Sequence, residues 1–448
     1  MAKAAKRGLQ DEYLRIVRKL DGDPKGREAG VYYLETTDPH SMMDNHGWAT
    51  NAYLLDAKQR DALDNAARVM GSIMEKVMAK YQRDRSFREL FHLDPTIEEF
   101  TLVPSGCHAA VPLSRVDLFF DQKTLDFQIC GIETGGVSGM GPCADVSRVV
   151  RLTNAYHEFA SKHKAVEAFD PVRECALSVL HTYGNWANAE VGRNHPTQPS
   201  LAIVDIENSP RAVETREFIA CLRDMGCYAR STTFSELRIE RVGGISQLVD
   251  KHGPITCVWL RARADEAAAV PGDGVRSLLE ATRRGRVCTV GGYRSWPCCT
   301  RSFLSVLHAK ECRQLLSWEE RAFIDAHIPQ THIIDASADI SAFYDQDNWV
   351  LRTQDGHQSQ DVIAGSNMSK AAWRNRLVKG IKRRDAVQAH IDQHPMTVVT
   401  EAGEMERNVM LGLYVFESRL TGVQVTSGTS KSFANWTDHL DIACFAVR

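Results

Sequence analysis

Arg115-Val-Asp117-Leu-Phe-Phe120, a break at Asp121-Gln122-Lys123, then Leu125-Asp-Phe-Gln-Ile-Cys-Gly-Ile-Glu133-Thr-Gly-Gly-Val-Ser-Gly-Met140 is a pair of apolar-alternating runs around a polar cluster, closed by glycines. Period-2 alternation on both sides of a turn signal predicts an antiparallel hairpin whose second strand runs into a glycine-rich turn. Such a hairpin places Asp117 and Glu133 as neighbours, and two close carboxylates repel unless a cation or a shared proton relieves them. A hard divalent ion such as Mg²⁺, held by one or two carboxylates plus phosphate oxygens, is one relief; an edge hairpin with solvated acids is the other reading.

Outward from the hairpin, size and composition set the frame. At 448 residues the chain is long enough for two or three units. Its 43% hydrophobic and 25% charged content is that of a water-soluble globular protein. A net charge of −3 gives no footprint for nucleic acid, and the basic run Arg374 to Arg384 alternates with Leu377, Val378 and Ile381 as the wet face of a helix would. No run of 18 apolar residues occurs and the N-terminus lacks a signal-peptide core, so no membrane partner is expected. Twelve cysteines without a Cys-x-x-Cys pair suit neither a zinc site nor a disulfide framework, and a reducing cytoplasm is the expectation. The histidines at 40, 46, 108 and 357 have no metal spacing, Cys107 and Cys130 have no evident base, and no Gly-x-Ser-x-Gly elbow occurs.

Leu63, Ala67, Met70, Met74, Val77 and Tyr81 recur at helical spacing behind Asp56, predicting a long amphipathic helix capped by that aspartate. Helices are expected at Asp145 to His163 and Pro171 to Trp186, with a linker from Glu190 to Pro199. Ser200 to Asp205, Thr256 to Leu260 and Val287 to Val290 read as strands; a helix from Ser209-Pro210 to Met225 and another from Gly274 to Arg284 alternate with them as a small parallel α/β unit. Beyond Trp296 the expected elements are helices Ser302 to Leu316 and Trp318 to His327, strand Trp349 to Arg352, helix Ser369 to Lys382, and strands near Val409 to Phe416, Gly422 to Thr426 and Ile442 to Val447.

The order of these pieces resembles the circularly permuted ATP-grasp ligases, the superfamily of glutathionylspermidine synthase and glutathione synthetase. Pro112-Leu-Ser-Arg-Val-Asp117 looks like the family's Pro-Leu-x-Arg-Phe-Asp strand, and Ile132 to Met140 like its metal strand. Ala202-Ile-Val-Asp205 with Thr215-Arg-Glu-Phe218 resembles the opening of the inserted domain, and Leu307-His-Ala-Lys310 through Glu320 to Ile328-Pro-Gln-Thr331 the lysine-bearing segment. Trp349-Val-Leu-Arg352-Thr-Gln-Asp355-Gly356 looks like the strand before the phosphate loop.

The resemblance implies a mixed α/β (α+β) ATP-grasp-like fold, circularly permuted, with an inserted small parallel α/β domain. Residues 1–196 would hold a helical region and the metal-strand hairpin, 197–295 the insert, and 296–448 the remaining lobes with the phosphate loop. It implies an ADP-forming carboxylate–amine ligase using ATP and Mg²⁺, in which a carboxylate is phosphorylated and the acylphosphate is captured by an amine. Asp117 and Glu133 would be metal ligands; Lys310 and Arg352 the phosphate cations, catalytic together with Arg115; Asp355 and Gly356 part of the loop; Gln388 the hinge meeting adenine; and Arg261 and Arg263 a grip on a substrate carboxylate. Arg261 and Arg263 read equally as a structural salt bridge, and Arg115 as a local partner for an acid. The partners implied are a small-molecule acid and amine; homo-oligomerisation stays open.

Several positions depart from the family pattern. Its first metal glutamate falls on Gly131 and its asparagine on Glu133; its lysine falls on Arg352, a planar fork in place of a point charge. The loop Gly356-His-Gln-Ser-Gln-Asp361 is poor in glycine, Ala389 stands where an acid is expected, and Thr426-Ser-Gly428 replaces an Arg-x-Ser. Two further readings follow: a degenerate scaffold that binds a metabolite or partner without turning over ATP, and a small-molecule phosphotransferase.

Overall fold

A computed structural model describes residues 8–37, 47–189, 195–352, 362–429 and 438–448. The helix read behind Asp56 spans Ala57–Arg83. Its first turn is closed by a reciprocal box: the Asp56 carboxylate accepts from the Gln59 amide at 2.8 Å and the Gln59 side chain accepts from the Asp56 amide at 2.9 Å. Leu63, Ala67, Met70, Met74, Val77 and Tyr81 are each at most 1% exposed, and they pack on one face of the largest sheet.

That sheet runs in the order Leu440–Ile442, Arg419–Gly428, Gly403–Phe416, Leu113–Phe120, Phe127–Glu133, every neighbour antiparallel, with Pro395–Thr400 also pairing Gly403–Phe416. Val116, Leu118, Phe120, Leu411, Leu413 and Val415 point to the helix and form its core. Alternation leaves Arg115, Asp117 and Gly412 on the opposite face. The hairpin read from the sequence is therefore the inner edge of this sheet, and one irregularity sets its phase. Asp117 pairs with Gly131 but Leu118 pairs with Ile129, so Cys130 is an extra residue. Ile129 and Ile132, three apart, both reach the helix-side core, while Gly131 and Glu133 join Arg115 and Asp117 on the other face.

A four-stranded parallel sheet, ordered Cys288–Val290, Cys257–Leu260, Ser200–Asp205, Tyr228–Thr233, matches the alternation read between residues 200 and 290. Its first helix begins at Ala212, not at Ser209-Pro210, because the Ser209 hydroxyl donates to Asp205 at 2.7 Å instead of capping the helix. A hairpin of Arg238–Val242 and Ile245–Asp250 was not visible in the sequence; its first strand is exposed throughout and lacks an apolar face. The single helix expected over Asp145 to His163 is two, Met140–Val150 and Asn154–Ala160, since Thr153 caps the second by accepting from the Tyr156 amide at 3.1 Å. The helix expected over Ser302 to Leu316 is likewise divided, into Arg301–His308 and Lys310–Arg313.

A third, antiparallel sheet orders Thr331–Ile333, Ala386–Ala389, Trp349–Arg352, Val362–Ala364 and is backed by helix Lys370–Arg383. It has its own core of Ile334, Phe343, Leu351, Trp373, Leu377 and Val387. Tyr53–Leu55, Cys444–Val447 and Val166–Ala168 make a further three-stranded sheet packed among the N-terminal helices Leu9–Lys19 and Pro24–Thr37. Among the described residues no helix is long and apolar enough to cross a membrane.

Candidate functional site

The face of the hairpin turned away from the long helix carries the charges. Register puts Glu133 opposite Arg115, and Gly131 opposite Asp117. The Arg115 guanidinium lies between the two acids: Nε donates to Asp117 Oδ1 at 2.7 Å, Nη2 to Asp117 Oδ2 at 3.1 Å and to Glu133 Oε1 at 2.9 Å. Its remaining Nη1 donates to the Ser138 carbonyl at 2.9 Å, which also accepts from the Tyr414 hydroxyl at 3.1 Å, so the glycine-rich turn is tied to the strands Leu113–Phe120 and Gly403–Phe416. The neighbouring strand makes room at Gly412: a Cβ there would sit 2.8 Å from Arg115 Cδ and 3.2 Å from Asp117 Oδ1.

The electrostatics follow from burial and proximity. Burial opposes the charge on Arg115, but Asp117 and Glu133 outweigh it and hold its pKa well above the ordinary value. Burial raises the Glu133 pKa, against the pull of Arg115 and with the push of Asp117. The cation that relieves these carboxylates is thus part of the chain.

The small antiparallel sheet meets the hairpin at the same place. Arg352, at the end of its strand, donates from Nη1 to the carbonyl of the extra residue Cys130 at 2.9 Å. Arg301, first residue of its helix, comes from a third direction: a Cβ built on Gly131 would lie 3.4 Å from Arg301 Nη1 and 3.9 Å from Asp117 Oδ2. Burial and then the Arg352 guanidinium push the Arg301 pKa down to about 10; burial also lowers that of Arg352. Burial holds the Cys130 thiol up, to about 11, which does not favour a nucleophilic thiolate. Arg301 had no sequence motif to mark it; the missing acid at Gly131 was the available hint that a compensating group should be sought nearby.

The other expected residues divide. Gln388 is buried on the strand beside Trp349–Arg352, opposite Thr331 and Val350, and donates to Thr331 Oγ1 at 3.2 Å. Lys310 is exposed at the start of a four-residue helix, and its side chain forms no hydrogen bond or ion pair among the described residues. Asp355 and Gly356 lie outside the described residues. Arg261 is fully buried and committed to Glu214, over the rings of Phe218 and Trp259. Arg263 pairs with Asp265 at 2.5 Å and lies over Trp296, near enough to Glu133 to act on its charge. Of the two, Arg263 lies nearer Glu133, and Arg261 forms its ion pair with Glu214 away from that face.

A divalent ion does not fit this donor set. Both oxygens of Asp117 and one of Glu133 accept from Arg115, position 131 has no side chain, and Arg301 approaches from the side that position leaves open. Among the described residues no group of three or more His, Cys, Asp or Glu side chains could hold a metal ion.

No family model matches the sequence, and no curated protein matches it. Among solved structures, a glutathione synthetase-like effector from Globodera pallida, in apo form, is similar over 99% of this chain and 98% of its own, with a TM-score of 0.58 and 12% identity. A candidate gamma-glutamylcysteine synthetase from Methylobacillus flagellatus matches 82% of this chain and 84% of its own at a TM-score of 0.38 and 11% identity. A RimK-domain ATP-grasp protein from Sphaerobacter thermophilus matches 54% and 89% at 0.27 and 15%. The first of these is a likeness of whole fold.

Proposed function

We propose that this chain, a mixed α/β protein with an ATP-grasp-like fold, binds an anionic small molecule where its small antiparallel sheet meets its large one, and does so without Mg²⁺-dependent ATP turnover. The observation that carries this reading is the meeting of Arg115, Arg301 and Arg352 around Asp117 and Glu133. Arg301 and Arg352 bring two further guanidinium groups beside the pairing that Arg115 makes with Asp117 and Glu133. Guanidinium groups at a partly buried junction favour phosphate or carboxylate oxygens, which a planar fork can take up two at a time. The Arg115 pairing also argues against a metal-assisted phosphoryl transfer, because the acids that would carry the metal are already neutralised.

Thermal unfolding in the presence of ATP, inorganic phosphate or a small dicarboxylic acid tests this. A ligand at a hundredfold excess over its Kd stabilises by about 2.7 kcal/mol, readily seen as a raised melting temperature. A melting temperature unmoved by every one of these anions would refute the reading.

The ligase expected from the sequence is the second reading, supported by the placement of Arg352 and Gln388 on adjacent strands of the small sheet facing the hairpin. It requires ADP release in a panel of carboxylic acids and amines supplied with ATP and Mg²⁺, together with a product of the summed mass less water. Phosphorylated product without coupling would instead indicate the phosphotransferase.

A further inference from the structure

We propose that Arg301 takes the role a divalent ion would have at this junction, so that the bound anion is held by guanidinium groups and binding is independent of metal. This rests on the reading of an anion site above and adds to it which residue substitutes for the ion. Three observations converge. With no side chain at Gly131, Arg301 Nη1 comes within 3.4 Å, and Asp117 Oδ2 within 3.9 Å, of the point where a Cβ at 131 would sit. Arg115 already binds three of the four carboxylate oxygens, Asp117 Oδ1 and Oδ2 and Glu133 Oε1. Arg352 enters from the opposite sheet and anchors on the Cys130 carbonyl, next in sequence to Gly131.

A divalent cation brought here would be repelled by the guanidinium groups of Arg301 and Arg352 and would meet few uncommitted carboxylate oxygens, whereas an oxyanion would be attracted by the same groups. Asp117 then serves as a brace, orienting Arg115 on one side and lying within electrostatic reach of Arg301 and Arg352 on the other. The ligand chemistry is an oxyanion, supplied either by the phosphates of a nucleotide or by the carboxylates of a small organic acid.

The test is calorimetric titration of the full chain with ATP and, separately, with citrate, each in excess EDTA and in excess Mg²⁺. The wild type should bind at least one of the two in EDTA, with no requirement for Mg²⁺, and which of them binds distinguishes the sources. Arg301→Gln should weaken binding in EDTA about tenfold, the loss of one charge-assisted contact, and Arg301→Lys less. Circular dichroism and the melting temperature of both variants establish that they are folded. Should Arg301→Gln fail to fold, Gly131→Glu provides the second variant: an acid beside Arg301 should weaken anion binding in EDTA. Binding that occurs only with Mg²⁺ overturns the inference while leaving the anion site intact, as does an EDTA affinity untouched by the folded Arg301→Gln or by Gly131→Glu. Absence of binding under both conditions overturns the anion site itself.

Discussion

Asp441 is a carboxyl whose protonation couples to the stability of the fold. It lies on the edge strand of the large sheet, 5% exposed, its backbone bonded to Gly47 and Ala49, and burial with the nearby Asp145 raises its pKa from 3.8 to about 7. An acid held up in the folded state keeps its proton where the unfolded chain has released it. Folding stability therefore declines as pH rises from about 4 to about 7, and above that the full penalty, up to about 4 kcal/mol, is present. Asp441→Asn removes the titration: its advantage over the wild type in urea unfolding should grow between about pH 5 and about pH 8. Equal differences at both pH values would show that Asp441 does not titrate in that range. Residues of this kind are illegible in sequence because Asp441 reads as one more surface acid in Asp438-His-Leu-Asp441; what buries it is a bridge to Trp48, nearly 400 positions away.

Among the elements, those with a single clean period were legible. The Ala57–Arg83 helix announced its cap and its core stripe, and the parallel strands announced themselves as short apolar runs between helices. Elements whose ends depend on a competing side-chain bond were misplaced, as at Ser209 and Thr153. In the candidate site, Arg115, Asp117 and Glu133 are legible by residue type, and a local pairing of Arg115 with an acid is one of the readings the sequence leaves open; that one guanidinium bridges both acids follows from the strand register. Arg301 remained hidden because its place depends on helix Arg301–His308 docking against a strand some 170 residues earlier in the chain. The hairpin also depends on its neighbour strand at Gly412, where a methyl group would contact Arg115 Cδ at 2.8 Å. Gly412→Ala should cost about 1–3 kcal/mol of stability by overpacking and weaken anion binding by displacing Arg115. Unchanged affinity in a folded Gly412→Ala protein would mean that Arg115 does not position the ligand.

For the whole molecule, the relevant division is between cores. The long helix and large sheet share one extensive core, whereas the small antiparallel sheet with helix Lys370–Arg383 closes on a separate and smaller one. Fewer buried apolar side chains imply a lower free energy of local opening. Amides of Trp349–Arg352 and Ala386–Ala389 should thus exchange with deuterium before those of Ala57–Arg83, and a bound anion should slow the first group selectively. Identical exchange in the two regions would show a single cooperative unit instead. One bond between the two sheets passes through the carbonyl of Cys130, the residue skipped in the pairing of the hairpin strands. A carbonyl belongs to every amino acid, so this joint is specified by how many residues the strand contains and hardly by which one stands at 130. Any small side chain that packs with Phe119 and Ile391 could stand there and keep the joint; dropping a single codon would straighten the strand and remove the oxygen that Arg352 holds.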